Sequence, residues 1–141
     1  MADIIYNSFL ADVFAGNCNT THSYKGMLVT SAYTENRSSH SKRSSITNEV
    51  TGTGYTAGGA AVTLSVAVNN TTNVLTLTIG AVSWPSSTIT ARKLVVYRDR
   101  GGASSADELV CCVDNGTDLV SSNTTLSFAA STWEITLPAA T

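Results

Sequence analysis

Between residues 62 and 79, apolar and polar side chains alternate with a period of two, which commits this part of the chain to β structure. Val62, Leu64, Val66 and Val68 are separated by Thr63, Ser65 and Ala67, and Leu75, Leu77 and Ile79 by Thr76 and Thr78. Successive side chains of a strand point to opposite faces, so this spacing presents one apolar face to a core; a helix would scatter the same residues around its circumference. The stretch between the two runs, Asn69-Asn70-Thr71-Thr72-Asn73, consists of turn formers, and the whole predicts a hairpin with one buried face.

The same logic extends over most of the chain. Tyr24–Ala32 is a predicted strand, and Gly80 interrupts the alternation ahead of Val82 and Trp84 as a bulge would. Leu94–Tyr97 and Leu109–Val113 are apolar on both faces, which predicts central strands, and Asp114-Asn115-Gly116 is expected to turn the second. Alternation returns over 124–128 and 133–137, and Pro138 ends it. Only the start differs. Ile5, Phe9 and Val13 recur every four residues with Tyr6, Leu10 and Phe14 beside them, predicting an amphipathic helix over 3–15. Asp3 would complement its N-terminus and Gly16 would cap its end. Residues 34–48 are polar and aperiodic and predict an exposed loop, which holds Arg37, Lys42 and Arg43. The expected fold is mostly β: an antiparallel β-sandwich or barrel-like domain of about seven or eight strands with one N-terminal α-helix, a single domain over 1–141.

Charged residues make up only 13% of the chain, near half the usual share of roughly 25%, and Ser, Thr and Asn supply the polarity instead. A surface so weakly charged suits a protein largely covered by partners, and equally a secreted β-domain. The net charge of −2 sets up no field that would draw nucleic acid or anionic lipid. No apolar run approaches the roughly 18–20 residues of a membrane span. Met1–Gly16 lacks an early Lys or Arg, and Asp12 interrupts its apolar stretch, so a signal peptide is not expected and assembly in the cytoplasm is.

Reactive chemistry is not expected either. Gly52–Gly59 is glycine-rich, but Ala60-Ala61 follow where a phosphate loop needs Lys and Ser or Thr; the glycines are read as a place where backbones pass closely. His22 and His40 lie in polar stretches without a nucleophile elbow. Asp107-Glu108 fall in a loop, and Asp114–Asp118 lacks the ligand spacing and closing Glu of a calcium loop. Cys18, Cys111 and Cys112 are read as small buried thiols, since neighbouring cysteines rarely bridge and too few ligands accompany them for a metal. No catalytic residue, cofactor or metal site is expected.

Four stretches carry a family resemblance: Tyr6-Asn7-Ser8-Phe9, Leu28–Thr34, Asn48–Gly59 and Trp84–Arg92, the third being the most specific. Together they span nearly the whole chain. The sequence resembles small virion structural proteins encoded among the head and neck genes of tailed bacteriophages, several of which are capsid decoration or cement proteins. The family carries an acidic run ahead of the first strand, where this chain has the Asn/Thr-rich segment Asn17–Lys25; the basic loop Arg37–Arg43 is a second departure. The resemblance implies a non-enzymatic protein on the capsid exterior, bound to the major capsid protein or another virion protein. It would act as a homo-oligomer, with a trimer favoured because repeated contacts multiply affinity. The contacts are expected on the helix (Tyr6, Phe9), in the basic loop (Arg37, His40, Lys42, Arg43) and at Trp84-Pro85. A second reading makes the chain a tail, neck or fibre component with Trp84 and Trp133 stacking on glycans. A hydrolase with an unrecognised site is the third.

Overall fold

The computed structural model describes residues 3–139. Its elements are β1 (Ile4–Ile5), α1 (Ser8–Phe14), β2 (Tyr24–Val29), a 3-10 turn (Arg43–Ser45), β3 (Ala60–Val62), β4 (Leu64–Asn69), β5 (Val74–Ile79), β6 (Val82–Ser87), β7 (Thr90–Arg98), β8 (Leu109–Val120), β9 (Thr124–Phe128) and β10 (Ser131–Thr136). Every strand pairing is antiparallel. The strands form a five-stranded sheet ordered β1-β8-β7-β2-β3, a three-stranded sheet ordered β10-β5-β4 and a β6-β9 ribbon. The mostly β, antiparallel, sandwich-like fold with one helix is as expected, with ten strands where seven or eight were predicted. No helix among the described residues is long and apolar enough to cross a membrane.

β7 and β8 are central, as their two-sided apolar runs require, and each face of their sheet has its own core. Leu28, Leu94, Val96 and Cys111 meet Leu64, Leu77, Ile79, Trp84, Leu126 and Phe128 of the smaller sheets in the main core. Met27, Val29, Val95, Tyr97 and Cys112 form a second cluster with Ile4, Tyr6 and Tyr33. Val110 sits at a bulge between Val96↔Cys111 and Tyr97↔Leu109, so it and Cys111 both reach the main core.

That second face explains why the 34–48 loop is not simply solvated. Central strands that are apolar on both sides need a cover, and the segment after β2 supplies it. Ile46 packs on the second cluster, and Arg43 lies over the Tyr97 ring at 5.0 Å. Lys42 pairs with Glu108 at 3.4 Å and Arg43 with Asp107 at 2.8 Å. Thr34, the stretch 36–39, Ser44, Thr47 and Asn48 are exposed as predicted, although the Arg37 carbonyl accepts the Asn7 N–H at 2.9 Å.

Three local expectations need correction. The helix begins at Ser8, not residue 3, because Ile4-Ile5 pair with Cys112 and Cys111 on the edge of β8, a better use of two β-branched residues beside an open edge. Asp3 therefore caps no helix; it accepts the Asp114 N–H at 2.8 Å, while Gly16 does end the helix with φ +80°. Asp114-Asn115-Gly116 does not end β8: residues 115–118 bulge opposite Arg92 alone, and the strand runs on to Val120. Gly80 marks no bulge but the point where the chain leaves the three-stranded sheet for the ribbon; its N–H donates to the Thr63 carbonyl at 2.9 Å.

Candidate interaction surface

The hairpin forms in the predicted register, with Leu64↔Ile79 through Asn69↔Val74, and β10 adds to its far side. Three rows cross the resulting sheet: Leu64–Ile79–Ser131, Val66–Leu77–Trp133 and Val68–Leu75–Ile135. Alternation puts the apolar members of all three on one face and Ser65, Thr76, Thr78, Thr132 and Glu134 on the other. Burial of the apolar face was expected throughout, yet it fades along the hairpin. Leu64 and Ile79 are in the core, whereas Val66 and Val68 are about half exposed, at 50% and 51%. The sheet overhangs the core, so its tip has nothing to pack against.

Helix α1 flanks that overhang. Phe9 turns inward into the main core, while Leu10 and Val13 stay partly exposed and Phe14 is 90% exposed. Between helix and sheet lies a groove of about 500 Å³, walled by Leu10, Phe14, Val66, Leu75, Trp133 and Ile135 among others, with no charged side chain in its lining. Seven large apolar residues are exposed among the described residues, and five of them (Leu10, Val13, Phe14, Val66 and Leu137) line this groove. Scattered exposed hydrophobics mean little, but a contiguous set of this kind makes the groove the candidate interaction surface.

The charged groups are engaged elsewhere. Asp107 and Glu108 are buried; Asp107 accepts from Arg43 and from the Arg100 backbone N–H, and Glu108 takes the Arg100 guanidinium at 3.0 and 2.6 Å. Burial by itself would raise the Glu108 carboxyl, but hydrogen bonds from Arg100 and the nearby Lys42 charge hold it below its ordinary value. Burial likewise works to raise Asp114, and the Gly116 N–H with Arg92 outweighs it, so this carboxyl too is lowered. These are carboxylates locked in ion pairs, not poised acids. His40 Nδ1 bonds the Tyr33 hydroxyl at 2.9 Å, which in turn bonds Tyr6 at 2.8 Å; His22 Nε2 lies 3.4 Å from the Asn19 amide. Among the described residues neither ring has a Ser, Thr or Cys partner. No group of three or more His, Cys, Asp or Glu suited to a metal occurs among the described residues.

The three cysteines are free and buried, as expected. Burial pushes the Cys18 thiol up to about 11 and Cys112 to about 12, and carries Cys111 well above its ordinary value. The thiolate is the reactive form, so all three should be inert in the folded protein. At pH 8 a disulfide reagent is expected to titrate fewer than one thiol per native chain and all three once guanidinium unfolds it. Rapid native labelling of Cys111 or Cys112 would contradict this packing.

The contact residues expected from sequence are dispersed. Tyr6, Phe9 and Trp84 are buried; Phe9 lies in the floor of the groove and Trp84 packs beside the Tyr55 ring. Lys42, Arg43 and His40 are half-buried and committed to Glu108, Asp107 and Tyr33. Arg37 and Pro85 are exposed. The exposed groove residues Leu10, Val13, Phe14 and Val66, and Val68 beyond the groove, carry in the sequence the same apolar pattern as the core. One sign in the sequence bears on this: Val68 sits one residue from a polar turn, where a core ends; that the helix is only seven residues long is visible in the structure alone. Comparison with protein-family models, curated proteins and solved structures returned no match.

Proposed function

We propose that this chain is a structural protein of a tailed-bacteriophage virion which decorates the mature capsid from outside, docking on the major capsid protein through the groove between α1 and the β10-β5-β4 sheet. The observation that carries the reading is the concentration of exposed apolar side chains along one uncharged groove in a chain otherwise poor in exposed hydrophobics. The sequence resemblance supplies the kind of partner. A decoration protein needs no reactive groups; it needs a rigid body and an apolar anchor that is desolvated on docking. The two-cored sheet provides the rigidity, and Phe14 and Val66 provide the anchor.

Anything that binds only the assembled shell stabilises it by mass action. Added to expanded empty capsids, the purified protein is expected to bind saturably, at a fixed ratio to the major capsid protein, and to raise their melting temperature by several degrees. Failure to bind, or no shift at saturation, would overturn the decoration role, and gold-labelled antibody found on tails would assign the protein there instead.

A further inference from the structure

β4 is an unguarded edge. Among the described residues its only ladder partner is β5. The Gly80 N–H donates to the Thr63 carbonyl, which makes 63 and 80 a hydrogen-bonded pair at the end of that ladder. Such pairs alternate along an antiparallel ladder, so Ser65, Ala67 and Asn69 bond β5 while the N–H and C=O groups of Leu64, Val66 and Val68 point outward. Among the described residues, no backbone hydrogen bond outside the ladder engages Val66 or Val68. Proteins normally protect a free edge with Lys, Pro, a bulge or a covering loop. Leu64–Asn69 (Leu-Ser-Val-Ala-Val-Asn) contains no charge and no proline, and its register with β5 is unbroken. The opposite edge, β10, carries Glu134.

We propose that β4 pairs with β4 of a second copy, antiparallel about a two-fold axis, joining two three-stranded sheets into one of six strands. The register follows from the outward groups. With Val66 on the axis, Val66 faces Val66 and Leu64 faces Val68 of the second copy, and all three outward residues are used. Any shift leaves at least one without a partner. The side chains brought together are β-branched or aliphatic and lie on the same face, a favourable cross-strand combination. Neither strand brings a charge, so two identical edges meet without repulsion. A two-fold axis of this kind is perpendicular to the sheet and keeps both apolar faces on one side. The pair therefore presents two grooves together. It is a different assembly from the trimer expected from sequence. Strand addition alone buries less than the roughly 1,200 Å² of a standard interface, so the pair forms in a concentration-dependent way.

The pairing rests on the sheet edge and stands or falls independently of capsid binding. Sedimentation of the full chain up to about 100 μM is expected to show a reversible monomer–dimer equilibrium, the range in which small interfaces assemble. Val68→Lys charges the edge and Val68→Pro removes an outward N–H that the monomer does not use; both should leave only monomer, with Val68→Lys melting within a few degrees of the parent. Hydrogen-bonded antiparallel partners lie about 5.5 Å apart at Cα, within disulfide range. Val66→Cys should thus cross-link on mild oxidation at least tenfold more than Ser65→Cys, and the native thiols, being buried, do not compete. A chain that stays monomeric throughout, a trimer, or equal cross-linking at 65 and 66 would overturn the pairing.

Discussion

Gly59→Ala is expected to leave little folded protein, with a destabilisation of about 4 kcal/mol or more, in the range reserved for the most damaging single changes. Gly59 has φ +82°, and a Cβ there would lie 1.9 Å from the Gly26 carbonyl oxygen and 2.7 Å from the Met27 Cα. Both are backbone atoms of β2, held between β3 and β7, so neither can move aside. The left-handed conformation alone costs a side chain roughly 1–2 kcal/mol, and the overlap adds the rest. Gly101→Ala separates the two contributions: its φ is +78°, but nothing lies within 4 Å of the new Cβ. Melting should fall by roughly 15 °C or more for Gly59→Ala and by about 3–6 °C for Gly101→Ala, following the scaling expected for a domain of this size. Equal losses would mean that strain, and not close approach, decides the first. The approach matters because the glycine-rich strap is fastened to the sheet. The Tyr97 hydroxyl donates to the Gly58 carbonyl at 2.6 Å, and Glu49 accepts from the Gly58 N–H and the Tyr55 hydroxyl.

This strap shows what the sequence makes legible and what it hides. A phosphate loop could be dismissed from Ala60-Ala61, and close backbone passage could be inferred from glycine density, because both depend on local chemistry. The hairpin and the central strands were equally readable, since period-two and two-sided apolar runs have few alternative folds. Residues 34–48 misled because a cover over a second core has no period of its own. Its ion pairs with Asp107 and Glu108 join positions more than sixty residues apart, and neither partner announces the other. The helix start misled for a related reason: Ile4-Ile5 fit both a helical stripe and an edge strand, and only the open side of β8 decides between them. The groove was hidden by a correct pattern. Alternation identifies which face of a strand is apolar but not how far along the strand the core extends, so Val66 and Val68 looked identical to Leu64.

Phe14→Lys should therefore affect docking and not folding. Phe14 is 90% exposed in the last turn of α1, where a cation complements the helix dipole, so melting should stay within a few degrees of the parent. An aromatic anchor removed from the centre of an interface typically costs 2 kcal/mol or more, which predicts at least a ~30-fold weaker hold on empty capsids. Adding Leu10→Lys puts a second charge on the groove wall, and desolvating both on docking is expected to abolish saturable binding. Arg37→Ala and Pro85→Ala are the matched controls: both positions are exposed, both were candidate contacts from sequence, and neither lines the groove. Their binding should stay within about twofold of the parent, the size of effect expected away from a hot spot. If Arg37→Ala or Pro85→Ala released the protein from the shell while Phe14→Lys did not, the docking surface would lie on the basic loop or the ribbon, and the groove would need another occupant. Loss in Phe14→Lys alone would place the contact at the overhang, where the helix and the hairpin tip expose more apolar surface than the core beneath them can cover.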